Sequence, residues 1–186
     1  MPRKKLFVFA GPSGCGKTTI ARAILNIHPE ILFSVSATTR LKRDVEVNGR
    51  DYYFISKEQF EDKIQNDGLI EWEQIYGDYY GSLKSEVDKA FNAEQSLLFD
   101  VDVNGALSIK KKYPNDTVLI FIKPPSIESL RERLMDRKTE TPETFTRRME
   151  RVAMELERAD EFDYCVVNDD LCTAITVADS IVQRAL

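Results

Sequence analysis

Residues Gly11–Thr18 read Gly-Pro-Ser-Gly-Cys-Gly-Lys-Thr. Glycines, a lysine and a hydroxyl stand here at the spacing of the phosphate loop, G-x-x-x-x-G-K-[ST]. The chemistry this offers is the capture of a polyphosphate. Glycine at 11, 14 and 16 opens backbone angles closed to other residues, so consecutive N–H groups can converge on an anion. A helix starting near Lys17 would add the positive end of its dipole. Lys17 is set to reach the β- and γ-phosphates, and the Thr18 hydroxyl to hold Mg²⁺. The apolar run Leu6–Ala10 comes directly before the loop, giving the strand-then-helix context the motif needs. A nucleoside triphosphate is the expected ligand of Gly11, Pro12, Ser13, Gly14, Cys15, Gly16, Lys17, Thr18 and Thr19. Cys15 stands at a variable loop position, either as a small filler turned away or as a thiol acidified by the helix N-terminus.

Further residues could complete such a site. A second apolar run ends Phe99-Asp100-Val101-Asp102. An acid at the carboxyl end of a buried strand lies in the crevice where α/β sheets bind ligands. Asp100 can thus orient Mg²⁺ or its waters, and Asp102 is expected on the same side of the strand, two residues further on. Another stretch reads Ser34-Val-Ser-Ala-Thr-Thr-Arg40, followed by Arg43, Glu46 and Asp51-Tyr52-Tyr53. Paired arginines and tyrosines suit a phosphate monoester, although a solvated basic turn accounts for these residues equally well by themselves.

These residues need a scaffold, and 186 residues suffice for one sizeable core with small appended lobes. Leu6–Ala10, Leu97–Val101, Val118–Ile122 and Tyr164–Val167 read as buried parallel strands. Helical patterns fill Thr18–Ile27, Gly105–Tyr113, Ser126–Met135, Pro142–Ala159 and about Leu171–Arg184. The alternation predicts an α/β fold with a doubly wound parallel sheet. Residues 34–92 break the rhythm. Short strands at Phe33–Ala37, Tyr52–Ile55 and Leu69–Ile75, with helices at Lys57–Asn66 and Leu83–Phe91, read as an inserted mixed α+β lobe. The core would then comprise 1–33 and 93–186. The charged, Thr-rich stretch Asp136–Thr144 reads as a mobile flap, with a lid spanning about 136–148.

Bulk properties narrow the partners. A net charge of −5 argues against nucleic acid. Three cysteines without ligand spacing argue against a disulfide framework or a zinc site. The lone histidine, His28, reads as a helix-end residue, which leaves no His-based triad. Neither a signal peptide nor a membrane-length apolar run is evident. The expectation is a cytoplasmic protein without membrane contact, monomeric or a small homo-oligomer.

Further blocks carry a resemblance. Ile70-Glu71-Trp72, Tyr79-Tyr80-Gly81-Ser82, Asp100-x-Asp102 and Val166-Val-Asn168-Asp accompany the phosphate loop, Ser34-x-Ser-x-Thr-Thr-Arg-x-x-Arg and Glu46-x-x-Gly-x-Asp-Tyr-x-Phe. In order and spacing, from about Leu6 to Leu171, this set resembles guanylate kinase, a P-loop nucleoside monophosphate kinase. The resemblance implies phosphorylation of GMP, and of dGMP, by ATP with Mg²⁺ at Thr18 and Asp100. Ser36, Arg40, Arg43, Tyr52 and Tyr80 would hold the GMP phosphate. Glu71, Ser82 and Asp102 would read guanine, while Glu46, Gly81 and Asp100 would complete the GMP site. Arg137 and Arg148 would act with Lys17 on the transferring phosphoryl group, and Asn168 would touch the adenine of ATP. Carboxylates only accept hydrogen bonds, so Glu71 and Asp102 suit the N–H edge of guanine and reject the bare N1 of adenine. Two positions depart from the family pattern: Lys138 follows Arg137 in place of the usual glycine, and Val103-Asn104-Gly105 follows Asp102. A kinase for another nucleoside monophosphate or a ribose phosphate is the alternative reading, as is a non-catalytic module of the same fold.

Overall fold

Leu6–Ala10 forms the central strand β1, and its five side chains are all buried. The computed structural model describes residues 4–75, 77–135 and 142–186. After β1 come α1 (Lys17–Ile27), β2 (Leu32–Phe33), β3 (Ala37–Thr38), β4 (Tyr53–Phe54), α2 (Lys57–Gln65), β5 (Leu69–Ile75), β6 (Asp78–Leu83) and α3 (Lys84–Asn92). The chain continues through β7 (Leu97–Asp100), α4 (Val103–Lys112), β8 (Thr117–Lys123), α5 (Ile127–Met135), α6 (Pro142–Glu157), a 3₁₀ turn at Ala159–Glu161, β9 (Tyr164–Val167) and α7 (Leu171–Ala185).

Five strands form a parallel sheet in the order β2-β7-β1-β8-β9. Alternation along β1 sorts its side chains between two layers. Phe7 and Phe9 pack with Ile20 and Ile24 of α1, Leu130 of α5, and Ala178 and Val182 of α7. Leu6 and Val8 face Val87 of α3 and Ala106 and Ile109 of α4. Helices on both faces bury both sides of the sheet, which is why its strands read as unbroken apolar runs. His28 caps the end of α1 and fastens it to α7 through Asp179, 2.6 Å from its Nε2.

A second sheet, β4-β3-β6-β5, is mixed: β3 pairs parallel with β4 and antiparallel with β6, and β5 and β6 form an antiparallel pair. Its small core holds Ala37, Phe60, Leu69 and Leu83. Ile70 of β5 instead enters the main core beside α4, so the lobe is seated on the helix that follows β7. Among the described residues no helix is long and apolar enough to cross a membrane.

Several sequence expectations need correction. The single strand expected at Phe33–Ala37 is two strands in different sheets, because Leu32–Phe33 pairs with β7 while Ala37–Thr38 pairs with β4 and β6. Strand β6 was not foreseen; its Tyr-Tyr-Gly-Ser stretch lacks an apolar run, and pairing with β5 creates it. Asp102 is not a strand residue: β7 stops at Asp100, and the Asp102 side chain caps α4 by accepting from Gly105 N–H at 2.7 Å. Of the stretch read as a lid, 136–141 lie outside the described residues, and from Pro142 onward it is the start of α6.

Candidate active site

The loop between β1 and α1 is shaped by its neighbours. Gly16 takes φ 92°, and a Cβ there would lie 2.3 Å from Asn168 Nδ2. No side chain could be accepted, because Asn168 is buried and its amide donates to the Cys15 carbonyl at 2.8 Å. Asn168, at the end of β9, therefore pins the loop from behind. Cys15 is fully buried in the core, where burial pushes its thiol up. This matches the small filler and not the acidified thiol.

Lys17 opens α1 and donates to Gly11 O at 2.8 Å and Pro12 O at 3.4 Å. Burial would lower its pKa, but neighbouring Cys15, followed by the acids Asp100, Glu155 and Asp102, outweighs this and holds it raised. Thr18 Oγ1 donates to Asp100 Oδ2 at 2.5 Å, joining the start of α1 to the end of β7. Gly11, Ser13, Gly14, Gly16, Lys17, Thr18 and Thr19 line a cavity of about 410 Å³, with Pro12 and the buried Cys15 completing the loop behind them.

Glu71 and Asp102 stand on the wall of this cavity contributed by β5 and the start of α4. Ser82 donates to Glu71 Oε1 from its backbone N at 3.0 Å and from its hydroxyl at 2.6 Å. Gly105 makes room for the pair: a Cβ there would lie 2.9 Å from Glu71 Oε2 and 3.0 Å from Asp102 Oδ1. The departure noted at 103–105 is thus the point where the two carboxylates converge. Burial, together with the Asp102 charge, pushes Glu71 up to about 7 despite the bonds from Ser82. Gly81 approaches closely behind Ser82, where a Cβ would lie 2.9 Å from Glu71 O.

A second cavity, about 870 Å³, shares Thr18, Ser36, Tyr52, Tyr80 and Asp100 with the first and is also lined by Arg40, Arg43 and Glu46. Glu46 forks onto Arg40, with contacts of 2.7 and 3.1 Å, and accepts from Arg43 N–H at 2.8 Å. It therefore aims the guanidinium rather than leaving it to solvent. Arg40 also lies over the Tyr52 ring, 5.6 Å from its centroid. Burial holds the Tyr52 phenol protonated, its pKa raised to about 12.

Arg148 of α6 lines the first cavity. Arg137 and Lys138 lie outside the described residues. Three charged residues escaped the sequence reading: Glu73, Arg151 and Glu155 line the same cavity. The signal was there, because Arg151 follows Arg148 by three residues and Glu155 follows Arg151 by four on one helix, and Glu73 shares a strand face with Glu71.

Comparison with known proteins agrees with this geometry. The guanylate kinase family model matches residues 3–185. A guanylate kinase from Chlorobium luteolum is 47% identical over 171 residues, covering 92% of this chain and 87% of the relative. One from Thermotoga maritima is 45% identical over 179 residues, covering 96% and 86%. The crystal structure of guanylate kinase from Anaplasma phagocytophilum superposes with a TM-score of 0.82 at 28% identity, covering 99% of this chain and 87% of that one. With nearly its whole length matched by the model, and a loop and carboxylate pair that fit it, the chain belongs to the guanylate kinase family.

Proposed function

We propose that this cleft transfers the γ-phosphoryl group of ATP in line to the phosphate of GMP or dGMP, giving ADP and the nucleoside diphosphate. The observation that carries this reading is one cavity lined both by the phosphate loop and by the pair Glu71 and Asp102. The loop suits the donor's phosphates, and the pair suits a base edge that only donates.

A phosphate monoester has a second pKa near 6 and is mostly dianionic at pH 7. Its oxygen is already nucleophilic and needs no general base. The protein's task is to bring two anions together and neutralise charge on the moving group. Lys17 and Arg148 take that role, with Arg137 from outside the described residues. Ser36, Arg40, Arg43, Tyr52 and Tyr80 hold the acceptor phosphate, with Glu46 behind Arg40. Tyr52, kept protonated, can only donate to that phosphate. Asn168 supports the donor side through the loop it pins.

Thr18 and Asp100 fit Mg²⁺ as two adjoining hard oxygen ligands. Among the described residues no cluster of three or more His, Cys, Asp or Glu could hold a metal alone. When bound, Mg²⁺ would neutralise and orient the nucleotide phosphates. On the base side, adenine would set its N1 acceptor against desolvated carboxylates, whereas guanine donates from N1 and its exocyclic amine.

Lys17→Ala tests the donor side. In a coupled ADP-release assay its kcat is expected to fall by roughly 10³ or more, the scale of a main electrostatic group, with the far-ultraviolet circular dichroism spectrum unchanged. A near-normal kcat would contradict the assignment.

A further inference from the structure

One guanidinium in the cleft is shared by acids from three segments of the chain. Arg151 of α6 donates from Nη2 to Asp102 Oδ2 at 2.6 Å and to Glu73 Oε2 at 2.9 Å, and from Nε to Glu155 Oε1 at 2.9 Å. Glu73 belongs to β5 of the inserted lobe, Asp102 caps α4 of the core, and Glu155 lies one turn further along α6.

The consequence falls on Asp102. Its Oδ1 takes Gly105 N–H and its Oδ2 takes Arg151. A carboxylate tethered at both oxygens cannot turn about its last bond without breaking one tether. Its remaining lone pairs therefore keep a fixed direction. Glu71 reaches the same side of Gly105 as Asp102 and is itself tethered by Ser82. Both carboxylates are thus oriented before any ligand arrives, which is the preorganisation that recognition needs. Without Arg151, Glu71, Glu73, Asp100, Asp102 and Glu155 would share one cavity with Lys17 and Arg148 as its remaining lining cations among the described residues. Repulsion would then favour rotation of Asp102 away from the other acids. A lysine could not replace the fork, because its ammonium is a point charge whereas guanidinium N–H groups point in fixed directions.

We propose that Arg151 is a positioning residue for the acceptor base: it sets the plane of Asp102. This rests on the reading of Asp102 as a guanine contact.

The test is a double-mutant cycle of Arg151→Met and Asp102→Asn, reading kcat/KM for GMP and for AMP. Methionine keeps much of the apolar stem and removes the charge. Arg151→Met is expected to lower the GMP-over-AMP ratio about tenfold, the scale of one well-oriented polar contact, with the KM for ATP unchanged. Asp102→Asn lowers the ratio at least as far, and the double variant falls no lower than Asp102→Asn alone, because Arg151 acts through Asp102. A purely structural role would lower both substrates together and leave the ratio intact. Arg151→Lys is expected to recover part of the loss. An Arg151→Met ratio within twofold of wild type overturns the proposal, as does a double variant showing the product of both single losses. Should Arg151→Met fail to fold, Arg151→Lys carries the test, and a wild-type ratio in it overturns the proposal. Wild-type protein that phosphorylates neither nucleotide would instead sink the reading of the site on which the proposal rests.

Discussion

Burial pushes the Glu71 carboxyl up to about 7, although Ser82 donates to it twice. The ionised form is thus disfavoured until a donor arrives, and in the proposed function the N–H groups of guanine would supply one. A carboxyl whose folded pKa lies above its ordinary value stabilises the fold in its protonated form. That contribution is complete below about pH 4.5 and is lost as pH rises to about 7. Glu71→Gln keeps the acceptor facing Ser82 and has no charge to desolvate. It should therefore gain stability over wild type as pH rises from 5 to 8, by about 3 kcal/mol at most, while kcat/KM for GMP falls by roughly 10² or more. Denaturant melts at both pH values, beside kinetics, check this. Equal stability at pH 5 and 8 would show that Glu71 is not held in its neutral form. The same ionisation should give kcat/KM for GMP an acid limb near pH 7 that the variant lacks.

The carboxylates of Glu71 and Asp102, proposed to read the base, meet at the junction of β5 with α4, against Gly105. Gly105→Ala places a methyl group against the tips of Glu71 and Asp102. Shifting them strains the bonds from Gly105 N–H, Arg151 and Ser82, which offsets the about 1 kcal/mol by which alanine favours a helix over glycine, so the fold should hold. Activity should not: kcat/KM for GMP is expected to drop about tenfold with the KM for ATP unchanged, measured beside the thermal midpoint. A loss of stability without loss of activity would mean that the glycine serves packing alone. The same junction marks how far the sequence could be read. Leu6–Ala10, Leu69–Ile75 and Tyr164–Val167 were legible to the residue, because local apolar patterning and flanking turns suffice there. Leu32–Phe33 and Ala37–Thr38 were not separable, because a short run does not reveal which sheet will accept it. Strand β6 exists only through pairing with β5. The phosphate loop announced itself as consecutive residues. For Arg151 the helical spacing to Arg148 and Glu155 was legible, but its bonds to Asp102 and Glu73, 49 and 78 positions away, were not.

Taken as a whole, the chain carries a net charge of −5, and its two adjoining cavities set Lys17, Arg40, Arg43 and Arg148 beside the acids Glu71, Asp100, Asp102 and Glu155. Cations and acids interspersed in this way suit a small ligand that carries both anionic phosphates and N–H donors. Ser36, Tyr52 and Tyr80 line both cavities, and in the proposed function an acceptor phosphate held there would face the phosphate loop while its base reached Glu71. The most direct measurement is a coupled assay with ATP and Mg²⁺ across GMP, dGMP, AMP, CMP and UMP. The account predicts turnover of the two guanine nucleotides, with kcat/KM for GMP exceeding that for AMP, CMP or UMP by about 10⁴ or more. Comparable turnover of AMP, or folded protein inert toward GMP, would contradict it.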